Sequence, residues 1–164
     1  MAITVRQGKV GFVKGCRSCE RFAAIIDFEN VAIRHGHRTS PAQMQVLLDI
    51  IGTHVSEMPV RLATGINALQ PYMDLISLQR WGLTLVRTER DAADIALCDA
   101  ARDFIRRGAT DIFVVSGDHS FIPLAAHANL HVISHANHLS RALRFAATTV
   151  TYLPDLHAEV LAAS

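Results

Sequence analysis

Three aspartates stand where folding could bring their carboxylates together. Asp27 directly follows the apolar run 23–26, and Asp118 follows the apolar run 112–115 after a short turn. Asp94 heads the apolar face of a helical pattern, so it should point toward the sheet. Carboxylates gathered in this way repel one another unless they are protonated or neutralised, and their hard oxygens suit Mg²⁺ or Mn²⁺. The three residues therefore predict a divalent cation site suited to phosphodiester chemistry.

The elements that would position these aspartates alternate along the chain. Short β-branched runs predict strands at 23–26, 60–64, 83–88, 112–115, 131–134 and 150–153. Helical patterns fall between them, at 41–54, 70–81, 92–107, 121–128 and 140–147. This alternation predicts an α/β domain of three layers, with a mainly parallel central sheet flanked by helices. Ligands bind beyond the carboxyl ends of such strands, where Asp27 and Asp118 fall.

Length and composition indicate a single folded domain. The chain has 164 residues, of which 50% are hydrophobic and 19% charged, so it can bury one core and is too apolar to be disordered. Its apolar runs are shorter than the roughly 20 residues of a membrane helix, and the first twenty residues lack the apolar stretch of a signal peptide. We therefore expect a cytoplasmic protein with no membrane partner.

The basic residues exclude several classes of chemistry. Lys9 and Lys14 are the only lysines, which argues against a Walker loop, Schiff-base catalysis and a receiver-type phosphorylation site in the body of the domain. The formal net charge is only +1, so any contact with nucleic acid must be local. Four arginines near the predicted crevice could grip phosphate bidentately, or could simply lie on solvated loops: Arg34, Arg38, Arg87 and Arg90.

The two ends of the chain are set apart from this body. Residues 1–21 predict an arm or hairpin that could cover a sheet edge or mediate a homodimer, and residues 157–164 predict a short tail. Cys16 and Cys19 form one Cys-x-x-Cys pair, but no second pair of ligands lies nearby, so a turn carrying two thiols is favoured over zinc.

Three segments of the chain resemble signatures of a known family. The segments Ile-Asp-Phe-Glu-Asn-Val at 26–31, Ala-Ala-Asp-Ile-Ala-Leu at 92–97 and Ser-Gly-Asp-His-Ser-Phe-Ile-Pro-Leu at 116–124 resemble those of NYN-domain proteins, which belong to the PIN-like nucleases. Segments 139–143 and 152–156 are also similar to the bacterial LabA-like branch. The resemblance covers residues 22–156 and implies a PIN-like fold and a metal-dependent ribonuclease.

The resemblance also implies residue roles. Carried over position by position, it makes Asp27, Asp94 and Asp118 the ligands of Mg²⁺ or Mn²⁺. Asn30 would help to orient the first aspartate, a water or the substrate. RNA would be the partner.

Two positions depart from the family pattern. Ser120 stands where a second aspartate is common in the third signature, and Thr148 stands where an acidic residue is frequent. A serine hydroxyl can still hold a metal-bound water, but the lost charge leaves open a weakened domain that binds RNA or a protein partner without cutting. His119, next to Asp118, could assist proton transfer to a leaving group.

Overall fold

The computed structural model describes residues 21–156. The predictions for Cys16 and Cys19, for nearly all of the N-terminal arm and for the tail at 157–164 therefore lie outside the described residues. Within the described range the chain folds as alternating strands and helices, as the sequence predicts.

Two sheets are formed by the described residues. In chain order the strands are β1 (Phe22–Asp27), β2 (Ile33–Arg34), β3 (His37–Arg38), β4 (Val60–Gly65), β5 (Gly82–Val86), β6 (Asp111–Val115), β7 (Asn129–His135) and β8 (Thr149–Leu153). The central sheet has the order β5-β4-β1-β6-β7-β8 and all its pairings are parallel. β2 and β3 form a separate antiparallel ribbon.

The strand order changes direction at β1. From β1 the chain proceeds outward through β4 to β5, then returns to place β6 on the other side of β1 and continues outward to β8. The connections after β1 and β6 therefore diverge and leave a crevice at the carboxyl ends of these two strands. Such a switch point is where open parallel sheets bind ligands.

Helices cover the sheet on both faces. They are α1 (Phe28–Ala32), α2 (Pro41–His54), α3 (Ile66–Leu69), α4 (Met73–Ser77), α5 (Ala92–Arg106) and α6 (Arg141–Ala146), with 3₁₀ helices at Gln70–Tyr72 and His119–Ala126. α2 begins and ends at the predicted residues. Its start is fixed by Pro41 in the first turn and by the reciprocal capping box of Ser40 and Gln43. None of the described helices is long and apolar enough to cross a bilayer.

The alternation of β1 residues divides the core into two layers. Ala24 and Ile26 pack in the cluster that contains the buried face of α2, whereas Ala23 and Ile25 pack in the cluster that contains α5, the second 3₁₀ helix and α6. Successive side chains of a strand point to opposite faces, so a strand buried on both sides is apolar throughout. The predicted three-layer α/β class is confirmed.

Two predicted helices differ from the structure, and each contains a proline. The stretch 70–81 forms no continuous helix: short α3 precedes a 3₁₀ turn containing Pro71, and α4 ends at Ser77. The stretch predicted as a helix at 121–128 is the 3₁₀ helix His119–Ala126, with Pro123 inside it. Proline has no backbone N–H to donate to a preceding carbonyl, so it disfavours a regular α-helix at these positions.

Candidate functional site

Asp27 lies at the junction of β1 and α1. It is the last residue of the strand and the N-cap of the helix, where its Oδ1 accepts a hydrogen bond from the Asn30 backbone N–H at 3.3 Å. Its Oδ2 accepts from the Ser116 hydroxyl at 3.0 Å. The residue is only 8% exposed. The carboxylate is thus held rigidly at the floor of the crevice by groups from two strand ends.

Burial makes Asp27 reluctant to ionise. Desolvation is the main cause that raises its pKa to about 7, and the negative charges of Asp94 and Glu29 add to it, while the hydrogen bonds from Ser116 and Asn30 oppose it. No cation of the described chain is positioned against this carboxylate. A buried carboxylate that has other carboxylates nearby and no neighbouring cation favours the binding of either a proton or an added positive ion.

Ser116 joins the first aspartate to the third. While its hydroxyl donates to Asp27, the same Oγ accepts from the Asp118 backbone N–H at 3.2 Å. The Asn30 side-chain carbonyl accepts from the Gly117 N–H at 3.1 Å. The Asn30 side chain therefore orients the loop that carries Asp118, while its backbone N–H holds Asp27. Ser116 was missed by sequence reasoning, although it lies in the third signature between β6 and Asp118.

Gly117 allows the same loop to approach a neighbouring one closely. A Cβ at this position would lie 2.2 Å from the backbone oxygen of His138 and 2.8 Å from the hydroxyl oxygen of Ser134. The Gly117 carbonyl in turn accepts from the Ser140 backbone N–H at 2.9 Å. No side chain fits between these loops, so glycine is required for a steric reason.

Asp94 and Asp118 line the same crevice and interact electrostatically. Asp94 lies in the first turn of α5, and its pKa is raised by burial first and then by the charges of Asp118 and Asp91. Asp118 caps the 3₁₀ helix, with Oδ1 accepting from the Ser120 N–H at 2.7 Å and lying 3.3 Å from His119 Nδ1. The proximity of these carboxylates is the electrostatic feature expected from the sequence.

Ser120 occupies the position where the resembled family commonly has an acid. Its Oγ is buried beside Asp94, where it favours the ionised carboxylate, but no partner lies in regular hydrogen-bonding geometry around it. The Ser120 hydroxyl is thus a buried polar group whose hydrogen-bonding capacity is not fully satisfied within the protein.

One open pocket of about 670 Å³ brings the predicted residues together. Its lining includes Asp27, Asn30, Asp94 and Asp118, together with two of the four predicted arginines, Arg87 and Arg90. The pocket lies beyond the carboxyl ends of the strands, at the switch point of the sheet. Both the pocket and its position follow from the sheet topology.

Four further charged or titratable residues line this pocket and were not predicted: Glu29, Glu89, Asp91 and His138. Glu29 is anchored by its Oε1, which accepts from the Gly65 N–H at 3.1 Å. Asp91 precedes α5 with a left-handed φ of 61°, a strained backbone for a residue with a side chain. The pKa of His138 is lowered by burial first and then by electrostatic interaction with Arg34 and His35, which favours the neutral ring. Only Glu29, inside the first signature, carried a sequence signal.

The other two predicted arginines lie differently. Arg38 stays beside the pocket, with Nη1 donating to the backbone oxygen of Asn67 at 2.9 Å. Arg34 is only 4% exposed, and its Nη1 and Nη2 donate to Asp155 at 2.8 Å and to Asn137 at 3.2 Å. The expectation that Arg34 grips phosphate at the rim is therefore wrong, because its guanidinium is buried and committed to these two partners.

The donor chemistry suits a divalent cation, but the spacing is not that of a closed metal site. Among residues 21–156 no group of three or more His, Cys, Asp or Glu side chains is arranged to hold a metal ion. The three aspartates nevertheless offer hard oxygens to one pocket. Mg²⁺ keeps several waters and is commonly held by one or two carboxylates with substrate phosphate, and this open arrangement fits that mode.

The fold and the pocket together define the class of protein as a three-layer α/β domain with an acidic crevice at its switch point. The chain is similar to the crystal structure of VPA0982, a protein of unknown function from Vibrio parahaemolyticus RIMD 2210633, with a TM-score of 0.59 over 82% of this chain and 93% of that one. Their sequences are 13% identical, so the likeness concerns the fold alone. No protein-family model and no curated protein matches the chain.

Proposed function

We propose that this protein hydrolyses RNA phosphodiester bonds with the help of a divalent cation, Mg²⁺ or Mn²⁺. The observation that carries the proposal is that Asp27, Asp94 and Asp118, far apart in sequence, line one pocket at the switch point of a parallel sheet. The resemblance of three segments to NYN-domain signatures supports the same activity, because those segments contain these three aspartates.

The charge balance of the pocket favours a cation. Burial and neighbouring carboxylates raise the pKa values of Asp27 and Asp94, which means that the ionised forms are disfavoured while the pocket lacks a positive charge. The three aspartates would hold the ion together with water and the substrate phosphate. Such an ion supplies Lewis acidity that activates water and stabilises the charge of the attacked phosphate.

The remaining residues have roles that follow from their positions. Ser116 and Asn30 fix Asp27 and the loop of Asp118 relative to one another. Arg87 and Arg90 line the pocket and would bind backbone phosphates, which gives little sequence preference and a strong dependence on salt. His119 is exposed and lies next to Asp118, where it could give a proton to the leaving oxygen.

Cleavage assays with matched variants test the proposal. Purified wild-type protein is incubated with structured and unstructured RNA in the presence of Mg²⁺ or Mn²⁺, alongside Asp27→Asn, Asp118→Asn and the control Asp49→Asn. Asp49 is exposed on α2, away from the pocket. We expect wild type and the control to cut RNA, the two pocket variants to lose about a hundredfold or more in rate, and a chelator to abolish cutting. Equal cutting by all four proteins would indicate a contaminating nuclease and contradict the proposal.

A second candidate is a module that binds RNA or a protein partner without cutting. It is favoured by Ser120, which places a hydroxyl beside Asp94 where the resembled family commonly has a carboxylate, and by the open spacing of the acidic groups among the described residues. Under this alternative the wild-type protein retains RNA on a filter but produces no fragments with either metal. The cleavage experiment therefore separates the two candidates directly.

A further inference from the structure

A second open pocket adjoins the first at the acidic residues. It has a volume of about 440 Å³ and lies between α5 and the 3₁₀ helix His119–Ala126. Both pockets are lined by Arg90, Asp91, Asp94 and Asp118. The carboxylates of Asp94 and Asp118 thus stand at the boundary between two cavities, each of a size that commonly accommodates a small ligand, roughly 300–1,000 Å³.

The second pocket adds residues that do not line the first. Ile95 presents an apolar side chain to it and is 62% exposed, although it sits in the first turns of the helix that packs on the sheet. Arg102, two turns further along α5, brings a guanidinium to the same pocket. Ser120 also lines this pocket, with its hydroxyl oxygen buried. An apolar side chain beside a cation matches a nucleotide, which combines a flat base with an anionic phosphate.

Arg102 is able to engage a ligand. Its Nη1 lies 3.3 Å from Asp99 Oδ1 in an i,i+3 pair whose side chains are 50% and 70% exposed. An ion pair this exposed contributes little to stability, so exchanging the carboxylate for a phosphate oxygen is inexpensive. A phosphate can moreover accept two parallel hydrogen bonds from the same guanidinium.

We propose that this second pocket is a nucleotide subsite, which binds the RNA residue on the opposite side of the cut bond from the residue held in the first pocket. The base packs on Ile95, and Arg102 with Arg90 binds the adjoining phosphate. The inference rests on the proposed function, because it assigns the cut bond to the boundary of the two pockets. It makes Ile95 and Arg102 substrate-binding residues that the three acidic signatures do not predict.

Steady-state cleavage of a short single-stranded RNA by Arg102→Ala and Ile95→Ser tests the subsite. Arg106→Ala is the matched control for the first variant, because Arg106 lies on the same helix and makes the same i,i+3 contact with Asp103 at 3.3 Å. Leu78→Ser is the control for the second, since Leu78 is 73% exposed and lines neither pocket. We expect KM to rise about tenfold in each subsite variant, as for loss of one good contact, and to stay unchanged in the controls.

Binding of the same RNA, measured by fluorescence anisotropy in the presence of chelator, separates failure of the subsite from failure of the proposed function. If wild type cuts RNA and all four variants behave alike, the subsite is overturned while the hydrolytic function stands. If wild type does not cut but the two subsite variants alone bind RNA about tenfold more weakly, hydrolysis is overturned and the pocket stands as an RNA-binding site. Absence of both cutting and binding overturns both proposals.

Discussion

At the scale of single residues, Asp27 serves the proposed chemistry but lowers the stability of the folded protein. Its two oxygens are hydrogen-bonded by Ser116 and Asn30, yet burial holds its pKa near 7. Its unfolded-state pKa is about 3.9, so between pH 4 and 7 the group is ionised in the unfolded chain but largely protonated in the folded protein. The free energy of unfolding therefore falls as pH rises through this range. Functional carboxyls commonly lower stability in this way.

Replacing Asp27 should therefore stabilise the protein at neutral and alkaline pH. Because the folded-state pKa is raised, the penalty is absent below about pH 4, grows as pH rises toward 7 and is constant above it. We expect Asp27→Asn to increase the free energy of unfolding by about 2 kcal/mol at pH 8 and by much less at pH 4. Urea unfolding at the two pH values measures this difference. An equal effect at both would show that ionisation of Asp27 is not the cause.

At the scale of elements, the loop after β6 is fixed by a close approach of two backbones. Gly117→Ala would place a methyl group 2.2 Å from the His138 carbonyl oxygen, so one of the two loops must move. We expect a loss of about 1–3 kcal/mol in stability, typical of overpacking, together with loss of RNA cleavage because Asp118 follows directly. Thermal unfolding and the cleavage assay measure the two effects.

A control is available within the same protein. Gly52 lies inside α2, and a methyl group added there would meet the Gln79 side-chain oxygen at 3.6 Å, an ordinary van der Waals contact. Gly52→Ala should be tolerated or slightly stabilising, since alanine favours helix. If Gly117→Ala behaved in the same way, the steric account of the loop would be wrong.

Asp111 is the centre of a hydrogen-bond network at the N-terminal ends of the strands β6, β7 and β8. Burial alone would raise the pKa of this carboxyl, but donors from His131, Thr110, Arg21 and Asn129 hold it well below its usual range. Since carboxylate oxygens only accept, His131 Nε2 donates to Asp111, and His131 Nδ1 lies 2.8 Å from the Thr149 hydroxyl oxygen. The network connects the first residues of β6 and β8 through β7.

This network should make stability fall in acid. A lowered folded-state pKa contributes stability that is present above about pH 4 and is lost as pH falls further. We expect Asp111→Asn to cost about 2 kcal/mol at pH 7 through lost charge-assisted hydrogen bonds, and the difference from wild type to shrink progressively as pH falls below about 4. Urea unfolding across this pH range gives the measurement, with exposed Asp74→Asn as a control that should behave as wild type. A constant difference at all pH values would contradict the assignment.

At the scale of the whole molecule, the sequence predicts the layers and the place of the site better than the contacts that complete them. The apolar run before Asp27 and the capping box of α2 act locally, so they specify strand and helix without knowledge of the fold. The switch point follows once the strands are ordered. By contrast, the burial of Arg34 depends on Asn137 and Asp155 more than a hundred positions away, and no local pattern announces that pairing.

The comparison with VPA0982 also separates the sequence requirements of the fold from those of the site. VPA0982 shares the fold at 13% identity, which is possible because an apolar alternation of strands and helices can be met by many sequences. Side chains in the crevice are not constrained by that alternation. RNA cleavage, a homodimer and a cytoplasmic location accordingly remain predictions from the chain's own residues.

The raised pKa of Asp27, at the floor of the crevice, would make cation binding depend on pH. Because the pKa of Asp27 is raised to about 7, a cation bound at neutral pH would release, on average, a fraction of a proton per protein molecule. Its binding would therefore acidify a weakly buffered solution. Affinity for the cation would weaken as the medium becomes more acid, without any histidine among the proposed ligands. Calorimetric titration in buffers of different ionisation enthalpy would count the protons released.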